Sequence, residues 1–185
     1  MKKASSICFC GLFCALFFAL SNLVPALRIF GNVPLTAQVF VVALMSFLLD
    51  YKFSVLTYVT ILVMTLCGLP MMSGLSSGIY ALIGPTAGYI AGWFLLISMI
   101  ATGKKTAKKV RKEGTKILIV MLFSVIGLLL VYLTGAIWLA AYSDFNIGLV
   151  GVINLFASNI STFLLLDIIK VIAGYAVFKF LKKFI

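Results

Sequence analysis

Six apolar runs, several close to the ~20 residues that a helix needs to cross the ~30 Å hydrocarbon core of a bilayer, restrict the fold of this 185-residue chain more than any other feature. They fall at 5–24, 36–49, 53–67, 80–100, 116–140 and 158–180. In lipid a backbone must satisfy its own hydrogen bonds, and runs of this length without strict alternation do so as helices. Hydrophobic residues fill 64% of the positions and charged residues 10%, too few to wet the surface of a soluble domain. The expected architecture is an all-α polytopic membrane protein of six transmembrane helices, with residues 1–185 forming a single integral membrane domain. Lys2 and Lys3 stand before the first run as they would in a signal peptide. That run is long, however, and no small-x-small cleavage site follows it, so it reads as a retained helix.

The cations set an orientation. With the N-terminus inside, the inner side collects Lys2, Lys3, Lys52, the seven basic residues of 104–116, Lys179, Lys182 and Lys183, whereas the outer loops hold Arg28. Both termini are therefore expected in the cytoplasm of a multi-pass protein of the bacterial cell membrane. The same segregation explains the net charge of +11 without nucleic acid, because no soluble domain presents the basic clusters, and it places the 104–116 loop against membrane lipids with anionic headgroups.

Asp167 and Lys170 interrupt the last run three residues apart, on one helical face. An ionised side chain at mid-bilayer depth costs roughly 2.5–3.5 kcal/mol on insertion scales, so the pair either ties helices together or faces a polar ligand. Three outer loops lie on the side from which this helix enters: Arg28-Ile-Phe-Gly-Asn-Val-Pro-Leu-Thr-Ala-Gln38, Gly68-Leu-Pro-Met-Met-Ser-Gly-Leu-Ser-Ser-Gly78 and Ser143-Asp-Phe-Asn-Ile-Gly148. Their glycines, serines and prolines let backbone amides approach a ligand closely. Gln38 either pairs with a neighbouring helix or touches ligand; Tyr80, Tyr89 and Trp138 suit interfacial anchoring, with ligand contact the alternative for Tyr89 and Trp138. Gly84, Gly88 and Gly92, at four-residue spacing, suit close helix packing. Gly11, Ala15 and Ala19 form a second small-residue face, on the first run, for a helix of this chain or of a partner.

Val33-Pro-Leu-Thr-Ala-Gln38, Gly68-Leu-Pro70, Gly84-Pro-Thr-Ala-Gly-Tyr89, Gly135-Ala-Ile-Trp-Leu139 and Asp167-Ile-Ile-Lys170 together resemble the BioY family, the biotin-binding S-components of energy-coupling factor (ECF) transporters. The resemblance is collinear across five separated motifs; Ala87 stands where that family usually has a further glycine. It implies a bundle like those of ECF S-components, with no catalytic activity of its own, that captures biotin at the outer face. Transport would then require a transmembrane T-component and two ATPase subunits. A stand-alone biotin carrier and an S-component for a different vitamin are the alternatives. Asp167 would accept from the ureido N–H groups, and Lys170 would donate to the ureido oxygen or hold Asp167. Gln38, Tyr89, Ser76, Ser77 and the backbone from Gly74 to Gly78 would supply further contacts, Ser76 standing where some relatives carry asparagine. Gly11, Ala15 and Ala19 would face the T-component.

Catalysis and metal binding lack parts. Histidine is absent, no Ser/His or Cys/His arrangement exists, and no second carboxylate accompanies Asp167 within a run. Cys8, Cys10, Cys14 and Cys67 read as small apolar residues, with neither a disulfide framework nor a metal site. No phosphate-cradling Gly-x-x-x-x-Gly-Lys-Ser/Thr loop occurs, so the expectation is no cofactor, with ATP used only through partner subunits.

Overall fold

Apolar runs become helices wherever no proline or left-handed glycine intervenes, and the computed structural model, which describes residues 3–23, 36–142 and 148–184, shows seven of them among those residues. They are α1 (Lys3–Asn22), α2 (Gln38–Leu48), α3 (Tyr51–Leu66), α4 (Gly78–Ile83), α5 (Ala87–Ala107), α6 (Glu113–Tyr142) and α7 (Gly148–Leu181). Four described stretches are long and apolar enough to cross a membrane: Ala4–Asn22, Ala87–Ala107, Glu113–Tyr142 and Gly148–Leu181. The shorter apolar helices α2 and α3 complete the six expected runs.

The expected fourth run is not one helix. Pro85 has no N–H to donate and its ring disfavours a helical conformation at Gly84, so α4 ends there and α5 begins at Ala87. The last helix also begins ten residues earlier than expected, at Gly148, whose φ is +56°. The charged pair therefore lies more than five helical turns from the start of α7, not two to three.

Alpha2 is the centre of the bundle and packs against α1, α3, α5 and α7. Its eleven residues include nine buried ones, and it is apolar around its whole circumference, as a helix enclosed by others must be. Lys104 of α5 fastens its far end by donating to the carbonyls of Ser46 (2.7 Å) and Leu49 (2.6 Å), acceptors that a helix C-terminus leaves without partners. Phe47 meets Tyr175 of α7 edge to face at a centroid distance of 5.4 Å.

Glycine lets α5 and α6 approach until their backbones touch. A methyl group at Gly88 would lie 2.4 Å from the Thr134 carbonyl oxygen, and one at Gly92 would lie 2.7 Å from Val131 Cα. Neither contact is possible for a larger residue without moving a helix. The stripe read from the sequence thus serves packing at Gly88 and Gly92, while Gly84 accepts from Trp138 Nε1 at 2.8 Å through its carbonyl.

The 68–77 loop is built as tightly as the helices. Gly68, at φ +93°, ends α3 in a Schellman arrangement, with its own N–H bonded to Thr65 O and that of Leu69 to Met64 O. Farther along, the Asn22 amide at the end of α1 donates to Pro70 O (2.8 Å) and accepts from the Leu75 N–H (2.9 Å). Among the described residues Leu75 is the non-glycine residue held at positive φ (58°), and that bond helps to hold it there.

Candidate functional site

A recess opens where α2, α5, α6, α7 and the 68–77 loop converge. Its volume is about 80 Å3 as counted by the centres of water-sized spheres. One water needs only about 10–15 Å3 on that measure, so the recess has room for a compact ring system. Thr36, Gln38 and Val39 contribute from the start of α2, and Met72 and Ser73 from the loop. Tyr89, Ile90 and Trp93 form the α5 wall, with Thr86 above them; Val131 and Tyr132 come from α6, and Phe163, Asp167 and Lys170 from α7. Apolar walls with a few converging polar groups are the usual chemistry of a small-molecule site.

The polar groups form one connected network. Lys170 Nζ donates to Asp167 Oδ1 at 2.7 Å and to the Thr36 carbonyl at 2.8 Å. Tyr132 donates its hydroxyl proton to Asp167 Oδ2 at 2.9 Å. Tyr89 donates to Asn159 Oδ1 at 3.0 Å, and Asn159 Nδ2 reaches the Tyr132 carbonyl at 3.5 Å. Gln38 accepts from the Thr36 hydroxyl at 2.9 Å and points its amide nitrogen at Met72 Sδ, 3.9 Å away. The Asp167 side chain is 6% exposed and that of Lys170 is 20% exposed, so the acid is the more shielded member of the pair. A buried carboxylate in such a place needs all of these donors, since losing one partner of a buried ion pair costs about 3–5 kcal/mol.

Four of the residues read from the sequence as ligand contacts, Asp167, Lys170, Gln38 and Tyr89, meet on this recess. Gly74, Ser76, Ser77 and Gly78 do not line it. Ser76 Oγ donates to Ser73 O at 3.1 Å, Ser77 precedes α4, and Gly74 and Gly78 shape the loop at φ +71° and +72°. Met72 and Ser73 are the loop residues that reach the recess. Trp138 lies outside its lining and Tyr80 is exposed. Gly11 and Ala15 are exposed and Ala19 half-buried on α1; a methyl group at Gly11 would meet nothing within 4 Å. Around Gly11 and Ala15 this face is therefore open. Cys8 and Cys67 are exposed and Cys10 and Cys14 buried, all as free thiols. Arg28, Asp144 and the Val33-Pro-Leu part of the first motif lie outside the described residues.

Tyr132, Asn159 and Asn22 are the polar residues that sequence reasoning missed. A lone tyrosine or asparagine in an apolar run has no pattern of its own, and the partners lie 27 to 70 residues away. The one available signal was that a buried polar group in lipid requires a partner.

The family model for the BioY family matches residues 1–185. The probable biotin transporter BioY of Pyrococcus horikoshii is 33% identical over 157 residues, 84% of this chain and 85% of that protein. The biotin transporter BioY of Thermotoga maritima is 35% identical over 79 residues, 41% of this chain and 47% of that one. Among solved structures, the S-component for biotin from an ECF-type ABC transporter superposes with a TM-score of 0.82 at 25% identity, covering 98% of this chain and 93% of that chain.

Proposed function

This chain belongs to the BioY family, and from that premise we propose that it is the biotin-binding S-component of an ECF-type vitamin uptake transporter. The observation that carries the reading is the Asp167–Lys170 pair, the charged side chains on a recess otherwise lined by uncharged ones, set 2.7 Å apart. Biotin joins a ureido ring, with two N–H donors and a carbonyl, to an apolar thiophane ring and valeryl chain. Asp167 accepts from a ureido N–H, Lys170 donates to the ureido oxygen, and Trp93, Ile90 and Phe163 bury the apolar part. Tyr89 and Gln38 border the same space. Ser76, Ser77, Gly74 and Gly78 act through the shape of the loop that carries Met72 and Ser73 to the recess, and reach ligand themselves only if that loop moves.

S-components are not an enzyme class, and in this reading the chain carries out no reaction. Residues 1–185 act as one integral membrane domain of the cell membrane, with both termini cytoplasmic as the cation distribution dictates. Its partners are a transmembrane T-component and two ATPases, which alone use ATP. The small-residue face of Gly11 and Ala15, both exposed, and half-buried Ala19 on α1, flanked by the exposed side chains of Ile7, Leu12 and Phe18, supports docking of a partner helix there.

Calorimetric titration of the detergent-purified protein with biotin, thiamine and riboflavin tests the ligand. Saturable one-to-one binding of biotin alone is expected. Binding of thiamine or riboflavin in preference to biotin would make the chain an S-component for another vitamin and overturn the reading.

A further inference from the structure

We propose that Tyr132 is a positioning residue for ligand capture: by donating to Asp167 Oδ2, it holds the carboxylate so that Oδ1, beside the Lys170 ammonium, is presented to the ligand. The inference rests on the biotin reading above and adds to it the part of the head group that this corner of the recess recognises.

Directionality follows from the inventory of protons. An ammonium has donors only, so the contact at 2.7 Å makes Asp167 Oδ1 the acceptor. The tyrosine hydroxyl has one proton, and at 2.9 Å that proton goes to Oδ2. Tyr132 is 2% exposed and Asp167 4% exposed, so water does not compete freely for either oxygen. The hydroxyl is held by its ring and backbone: the ring is packed in the core and the Tyr132 carbonyl accepts from Asn159. A carboxylate held at one oxygen cannot swing, and this fixes where the other oxygen points.

The edge so held offers a ligand an acceptor and a donor side by side. Oδ1 keeps one lone pair, and Lys170, with one N–H on Thr36 O and one on Oδ1, keeps a third. Their 2.7 Å spacing is close to the roughly 2.3 Å between nitrogen and oxygen on one N–H/C=O edge of a cyclic urea, so two parallel hydrogen bonds can form. The pair therefore reads one edge of the ureido ring, its carbonyl and a single N–H. The second N–H lies on the far side of the ring, out of reach of Asp167.

The test combines a protein substitution with a ligand substitution, so that only a shared interaction gives a non-additive result. The ligands are biotin and its two cyclic carbamate analogues, each with one ureido N–H replaced by oxygen. Tyr132→Phe keeps the ring and removes the proton. It is expected to weaken biotin and one carbamate by about tenfold and to change the affinity of the other, which lacks the N–H facing Asp167, by less than about twofold. Equal losses for all three ligands would show that Tyr132 only packs the core, and would overturn the proposal while leaving biotin binding intact. Failure of the unsubstituted protein to bind biotin would instead sink the reading on which the proposal rests. If Tyr132→Phe does not fold, 3-fluorotyrosine at position 132, a stronger donor of the same shape, serves the same comparison. A shift in the ratio of the biotin affinity to that of the insensitive carbamate supports the proposal, and an unchanged ratio overturns it.

Discussion

Asp167→Ala is expected to weaken biotin binding by at least about a hundredfold while the protein still inserts and purifies as a single species. Hydrogen bonds to charged groups are worth roughly 1.5–3 kcal/mol each, and about 1.4 kcal/mol corresponds to a factor of ten in affinity. The substitution removes the acceptor for the ureido N–H and leaves Lys170 with the Thr36 carbonyl as its remaining partner. An ammonium without its counter-ion then draws water into the recess, which weakens the hydrogen bonds left to the ligand. Lys170→Ala should lower affinity by a similar amount, because Asp167 would keep Tyr132 and lose its ion pair. The measurement is calorimetric titration of each variant beside the unsubstituted protein, with size-exclusion profiles to show that all are folded. Unchanged affinity in both variants would mean that the pair ties α7 to the start of α2 and has no part in the ligand site.

The second large effect separates capture from transport. Ala15→Trp and Ala19→Trp add bulk to a face that is open at Gly11 and Ala15 and half-covered at Ala19, so the Ala15 side chain at least does not have to enter the core. Small residues allow two helices to reach van der Waals contact in lipid, and a tryptophan there holds a partner away by several ångströms. Biotin binding by the isolated chain should therefore change by less than about threefold, within the half kcal/mol or so typical of surface substitutions. Co-purification with the T-component should be lost, and ATP-driven uptake in vesicles containing the other subunits should fall to background. Normal assembly and uptake by both variants would place the docking face elsewhere on the chain.

Much of the fold was legible because the bilayer leaves so few solutions. Length and apolarity alone marked α1, α2, α3 and α6 to within about three residues at each end, since a run of that kind in lipid has to be helical. The failures came where a local signal competed with a continuous apolar stretch. Pro85 stood inside an apolar run and was read through, although a proline one residue after a glycine is a strong reason for a helix to stop. At α7, Ser158 looked like a beginning, but residues 148–157 continue the apolar pattern, and Gly148 at positive φ is the actual start.

The candidate site shows the same division. Asp167, Lys170 and Gln38 were visible because charge and amide groups are rare within apolar runs, and each rarity asks for a partner. Tyr132 gave no such warning, since tyrosine is ordinary in membrane helices and its partner is 35 residues away. Serines of the 68–77 loop were read as ligand contacts from the composition of the loop and from the family resemblance. Loop geometry decides which of its residues turn inward, and here Asn22, 53 residues before Leu75, helps to set that geometry.

The central claim is that the recess between α2, α5, α6 and α7 holds biotin by its ureido ring. A structure of the biotin-saturated protein tests this most directly. The account predicts one N–H/C=O edge of the ring within about 3 Å of Asp167 Oδ1 and Lys170 Nζ, with the Tyr132 hydroxyl still on Oδ2 and the thiophane ring against the α5 wall. Biotin bound elsewhere on the chain, or bound here with its carboxylate rather than its ureido ring at Lys170, would contradict it.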